Sequence, residues 1–168
     1  PGPVAANLST SRMIDDVAAR HGQDCRRSPV GEAHVVAAMR ASGAVIGGEG
    51  NGGVILPALH AGRDGLVGSA LILAALTRAG RPLSALVADL PAYKMEKRRV
   101  ELKAKGDPVK VRALAAAHFA GEKLDKQDGV KASSDEGWVH VRPSNTEAIL
   151  RIIGESQNEA WLAKALDA

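Results

Sequence analysis

Six consecutive residues, Gly48-Glu49-Gly50-Asn51-Gly52-Gly53, combine four glycines with a carboxylate and an amide. Glycine lets backbone approach a ligand closely, while Glu49 accepts hydrogen bonds and Asn51 both donates and accepts, a pairing that suits sugar hydroxyls. The same letters satisfy the spacing G-x-G-x-x-G of dinucleotide-binding turns. That fingerprint must open a helix whose N-terminus meets the pyrophosphate. Here Val54-Ile55-Leu56-Pro57 follows, which reads as a strand stopped by proline, and Glu49 would set a carboxylate beside the phosphates. The dinucleotide reading fails, leaving a binding loop or a plain glycine hairpin. A second stretch, Arg142-Pro143-Ser144-Asn145-Thr146-Glu147, offers a guanidinium, two hydroxyls and an amide on turn-forming backbone, with Arg151 close enough in sequence to join them. Such donors at a strand end favour phosphate over a solvated turn.

Other chemistry finds less support. The five histidines, at 21, 34, 60, 118 and 140, show no ligand spacing with carboxylates, so no metal site is expected. His140 reads as a support of the strand before the phosphate stretch. Four basic residues between Lys94 and Arg99 surround Glu96, the pattern of a solvated edge strand or hinge rather than a nucleic-acid stripe. A net charge of +3 and 2% aromatic residues also argue against stacking on bases. The single cysteine, Cys25, excludes an internal disulfide and reads as an ordinary thiol, so a cytoplasmic location is expected. The longest strongly apolar run, Ala70 to Leu76, is far short of the roughly 20 residues that cross a bilayer. The chain starts at Pro1 without Met, so a piece of a longer protein is expected.

The elements that must position these stretches follow from periodicity and punctuation. Val4 to Leu8 reads as a strand, and Thr10 or Ser11 as the cap of a helix whose apolar face is Met13, Ile14, Val17 and Ala18, ended by Gly22. Ser28-Pro29 offers a helix start, with Val35, Val36 and Met39 as its stripe before Ser42-Gly43. Strands are expected at Ala44 to Ile46 and Val54 to Leu56, on either side of the glycine loop. A long helix runs from Asp64 or Gly65 to Ala79, and Ser84 caps a shorter one. Composition changes near Pro91, and Tyr93 to Leu102 reads as strand or linker. Asp107-Pro108 starts a helix whose buried face is Leu114, Ala115 and Phe119. Strands at Val130, Trp138 to Val141 and Ile149 to Ile153, and a helix from Asn158 to Leu166, complete the chain. The fold class is α/β: a layered domain over residues 1–92, with a mixed sheet flanked by helices, then a smaller α+β domain over residues 93–168.

Taken together, Gly48 to Gly53 and Arg142 to Glu147 resemble the α-D-phosphohexomutases: the phosphoglucomutases, phosphomannomutases and phosphoglucosamine mutases. Asn7 to Arg12, Val30-Gly31, Arg63-Asp64-Gly65 and Asp128 to Lys131 support the resemblance, which covers nearly the whole chain in order and corresponds to the family's third and fourth domains. It implies that Glu49 holds sugar hydroxyls, with Asn51 where many relatives have serine and Glu32 facing the substrate. It implies that Arg142, Ser144, Asn145 and Thr146 hold the phosphate that is not reacting; Ala148 stands where relatives usually have proline. The family's phosphoserine loop and its aspartate-rich Mg²⁺ loop are not among these residues. The implied partners are therefore a phosphosugar substrate and N-terminal domains of the same protein, with no nucleic acid and no membrane. The implied parent isomerises hexose phosphates through a phosphoserine and a hexose bisphosphate, Mg²⁺ being held outside this chain, and this part alone is expected to be inactive. A sugar-phosphate binding module without catalysis is the alternative.

Overall fold

The computed structural model describes residues 2–103, 107–144 and 146–167. It divides into two compact units, Pro1–Ala92 and Tyr93–Ala168. In the first, β1 (Val4–Asn7), β2 (Cys25–Ser28), β3 (Ile46–Gly48), β4 (Val54–Ile55) and β5 (Arg63–Asp64) lie in the order β2-β1-β3-β4-β5. β1 runs parallel to β2 and β3, whereas β4 and β5 pair antiparallel. Parallel neighbours need crossovers, and α1 (Met13–Arg20) and α2 (Glu32–Ser42) supply them. Val35 and Met39, one turn apart on α2, are buried with Ala5, Ala44 and Ile55. α3 (Gly65–Ala79) starts at Asp64, whose carboxylate accepts from the N–H groups of Leu66 and Val67, and α4 (Leu83–Ala88) follows. α3 has no buried residue, and Leu66, Ile72 and Leu73 are 84%, 50% and 63% exposed.

The second unit contains β6 (Lys94–Glu101), α5 (Pro108–His118), β7 (Lys123–Asp125), β8 (Val130–Ser133), β9 (Gly137–Pro143), β10 (Ile149–Ser156) and α6 (Glu159–Asp167). Its strands are antiparallel in the order β6-β10-β9-β8-β7. Val130, Val139 and Val141 pack with Ala115 of α5 and with Leu162 and Leu166 of α6. Because successive strand side chains alternate, Trp138, His140 and Arg142 take the opposite face of β9. There the Trp138 indole N–H donates to Glu155 at 2.7 Å, and Lys131 Nζ stands 4.1 Å from the ring centroid. Among the described residues no helix is long and apolar enough to cross a membrane.

The architecture is the mixed α/β fold that the sequence predicts, with local corrections. Ser28-Pro29 starts no helix: residues 25–28 form β2, and α2 begins at Glu32 behind Gly31. The expected strand at Ala44 to Ile46 is displaced to Ile46–Gly48. A Cβ at Gly47 would stand 2.5 Å from Met39 Sδ, so the strand can pass under α2 where glycine is. Ser84 is no cap, since the shorter helix starts at Leu83 behind Pro82 with no side-chain cap. Thr10 caps nothing; Ser11 Oγ accepts the Met13 N–H at 3.1 Å. Leu114 is 72% exposed because α5 packs through Val111, Ala115 and Phe119, spaced four apart, and Leu114 falls off that stripe.

Candidate functional site

The glycine loop joins β3 to β4 as a hairpin, with Gly48 paired to Val54. At its start the Glu49 side chain is 4% exposed. Its Oε1 accepts from Asn7 Nδ2 at 2.7 Å and from the Gly31 N–H at 2.9 Å. Asn7 Oδ1 in turn accepts from the Ser9 N–H (3.0 Å) and the Thr10 hydroxyl (2.9 Å), and Thr10 Oγ1 accepts from the Gly50 N–H (2.9 Å). The hydrogen bonds close a ring from Asn7 through Glu49 and Gly50 to Thr10 and back. Arg27 holds it from β2: Nη1 donates to the carbonyls of Asn7 and Thr10, Nη2 to that of Ser11, and the guanidinium pairs with Asp15. With Oε1 taken by two donors, the carboxylate has Oε2 to offer a ligand hydroxyl.

Arg63 brings the second carboxylate of this unit to the first. Its Nε donates to Glu32 Oε2 at 2.7 Å and its N–H to Oε1 at 3.0 Å, while Nη1 stands 3.9 Å from Glu49 Oε2. The Arg63 backbone N–H, reinforced by its guanidinium, holds the Glu32 carboxyl below the ordinary carboxylate range. Glu32 and Glu49 thus meet through Arg63, whereas Asn51 lies exposed at the hairpin tip.

In the second unit the phosphate stretch is the turn between β9 and β10. The Ser144 N–H donates to the Ile149 carbonyl at 2.9 Å, and Ser144 Oγ accepts from the Glu147 N–H at 3.2 Å. Ser144 is 5% exposed, so its hydroxyl shapes the turn, while Thr146 is exposed. Asn145 lies outside the described residues. Arg142 Nε stands 3.0 Å from Asp128 Oδ2, off the N–H axis, so the contact is an ion pair rather than an aligned hydrogen bond. Arg151 is opposite Arg142 across β10 and β9, and Arg99 of β6 is opposite Arg151. Three arginines therefore stand in one row across neighbouring strands, an arrangement unfavourable between like charges. Carboxylates offset it: Asp128 beside Arg142, Glu147 at 2.9 Å from Arg151 and 3.8 Å from Arg99, and Glu101 at 3.1 Å from Arg99.

The sequence assigns no role to Asn7, Gly31, Arg63 or Asp128 beyond their motifs, nor to Arg99 beyond its charge run. Their signal is a polar letter, or for Gly31 a glycine, in a loop or strand; spacing alone does not say that residues 7, 31, 49 and 63 converge. Among the described residues no three His, Cys, Asp or Glu side chains gather as a metal would require. The described side chains do not fit a resident Mg²⁺.

The first unit thus offers a hairpin carboxylate on a mixed α/β sheet, and the second an arginine-lined turn on an antiparallel sheet. Residues 1–93 match the family described as phosphoglucomutase/phosphomannomutase, alpha/beta/alpha domain III, and residues 95–168 match the phosphoglucomutase/phosphomannomutase C-terminal domain. The chain belongs to the phosphoglucomutase/phosphomannomutase family. It is 40% identical over 160 residues to a protein of Methanopyrus kandleri named "Probable phosphoglucosamine mutase", with 95% of this chain and 35% of that one covered. It is equally similar, at 40% over 160 residues, to a "Phosphoglucomutase/phosphomannomutase" of Thermococcus kodakarensis, covering 94% of this chain and 35% of the relative. A solved phosphoglucomutase/phosphomannomutase family protein from Burkholderia thailandensis superposes with a TM-score of 0.82 at 26% identity, over 99% of this chain and 36% of that one. The chain spans about a third of the length of the relatives it matches.

Proposed function

We propose that this chain is the phosphosugar-recognising part of a phosphohexomutase, which moves a phosphoryl group between C1 and C6 of a hexose by way of a hexose bisphosphate. The observation that carries the reading is Glu49: a carboxylate almost wholly withdrawn from water, clamped by a ring of hydrogen bonds at a glycine hairpin, with Oε2 left for a ligand. Burying a carboxylate is costly, and a loop that needed only solubility would leave it in water. Glu32, Arg63 and the exposed Asn51 surround it as further sugar contacts. Arg142, Arg151 and the turn of Ser144 to Thr146 take the distal phosphate, Ser144 by shaping the turn. The names of the relatives support a substrate class of glucosamine, glucose or mannose phosphate. In the intact protein the phosphoserine, and the Mg²⁺ that would offset charge on the reacting phosphoryl group, come from domains preceding this one.

The reading is tested in the full-length protein by assaying hexose 1-phosphate and 6-phosphate in both directions. Glu49→Gln turns one acceptor end into a donor and should weaken binding by about 1–3 kcal/mol, by similar factors in the two directions because one carboxylate serves both poses. Arg142→Lys keeps charge but loses the paired N–H fork and should weaken phosphosugar binding by about 1.5–3 kcal/mol. Wild-type KM and kcat in both variants would sink the proposal. Residues 1–168 alone should not interconvert the two phosphates.

A further inference from the structure

The geometry points to the Asp128-Gly129 turn, pinned by His140, as the device that aims the Arg142 guanidinium, with Asp128 a positioning residue for phosphate recognition. This rests on the phosphate reading of the turn that follows Arg142. Three contacts carry it. Asp128 Oδ2 stands 3.0 Å from Arg142 Nε, with the two side chains 19% and 11% exposed. Nε is the guanidinium nitrogen nearest the backbone, so an ion pair there restrains the stem of the side chain and leaves the distal end, which bears four of the five N–H donors, as the part to meet a phosphate. The turn backbone lies against the arginine itself: Gly129 has φ +66°, and a Cβ there would stand 2.2 Å from the Val141 carbonyl and 2.8 Å from Arg142 Cβ. From the other side His140, two residues before Arg142 on the same face of β9 and fully buried, places Nε2 2.6 Å from the Asp128 carbonyl oxygen. A carbonyl only accepts, so Nε2 carries the hydrogen and donates.

Arginine and aspartate are thus held from one strand and one turn that cannot move apart without breaking the His140 bond. Arginine side chains lose much rotamer freedom when they bind, and a fork already fixed gives up less of it on meeting a phosphate. A merely structural ion pair would need the charges to meet; it would not need the turn to press on the arginine stem and be tied back to the same strand.

The test uses the full-length protein, with KM for hexose phosphate and inhibition by inorganic phosphate as readouts and the thermal midpoint recorded for every variant. Asp128→Asn should raise both KM and the phosphate inhibition constant roughly five- to thirtyfold, and should add nothing in an Arg142→Ala background. His140→Gln keeps an N–H donor and should retain phosphate affinity that His140→Leu loses. If Asp128→Asn does not fold, Asp128→Glu decides: it keeps the charge, lengthens the arm and should raise the inhibition constant at a near wild-type midpoint. Unchanged phosphate inhibition in the folded Asp128 variant, or an effect additive with Arg142→Ala, would overturn the positioning role while Arg142→Ala alone still weakens phosphate. An Arg142→Ala variant that binds phosphate as wild type would instead remove the phosphate reading beneath it.

Discussion

Asn7 turns both ends of one amide to the same loop: Nδ2 donates to Glu49, and Oδ1 accepts from Ser9 and Thr10. Asn7→Ala leaves these partners without it and should cost about 1–3 kcal/mol of stability in urea unfolding. Asn7→Asp should cost more, since it faces the buried Glu49 carboxylate with a second one. A destabilisation by Asn7→Asp no greater than that by Asn7→Ala would show that the contact with Glu49 does not carry the extra cost. His140 gives a pH effect with a definite sign. Burial, the main cause, lowers its pKa from the ordinary 6.5; the Asp128 carbonyl and carboxylate oppose this, and Lys131 and Arg142 add to it. The folded protein binds this proton less readily than the unfolded chain. Its contribution is fully present above about pH 6.5 and is lost as pH falls from there toward the lower folded value. His140→Gln should flatten that part of the stability profile; identical slopes in wild type and variant would remove His140 as the source.

The hairpin between β3 and β4 depends on Arg63 from outside it. Gly53 has φ +92°, and a Cβ there would stand 2.5 Å from Arg63 Cδ. Gly53→Ala should therefore incur backbone strain of about 1–3 kcal/mol and push Arg63 off Glu32, so thermal stability and sugar affinity fall together. Loss of one without the other would separate the hairpin from the ion pair. The elements that sequence reveals are those whose order is local. Asp64 ahead of an apolar run and Asp107-Pro108 announce α3 and α5, because cap and helix lie within four residues. β2 is hidden because Cys-Arg-Arg-Ser has no apolar alternation: Arg26 points to solvent, and Arg27 is spent on carbonyls of the segment after β1. The candidate site divides in the same way. Glu49 and Arg142 stand out by letter and loop, whereas Asn7, Gly31 and Asp128 gain meaning from sheet register and turn geometry that no spacing encodes.

At the scale of the whole chain, each unit has its own sheet and core, and the apolar face of α3 belongs to neither core. The matched relatives are nearly three times as long as these 168 residues. The residues best suited to reporting on the two units are already segregated. Both tryptophans, Trp138 and Trp161, are in the second unit, and the one cysteine, Cys25, is in the first. Trp138 shares its face of β9 with His140 and Arg142, two and four positions along the strand, and is sealed between Lys131 and Glu155. Together with Trp161 it gives the second unit a native optical signal, with no label needed. Inorganic phosphate at about a hundred times its dissociation constant should stabilise a binding unit by about 2.7 kcal/mol, seen as a rise of several degrees in the tryptophan-detected melting curve. The rate at which a thiol reagent reaches half-buried Cys25 reads the glycine hairpin's unit instead. One unmodified chain can thus be followed in two channels, one for each unit.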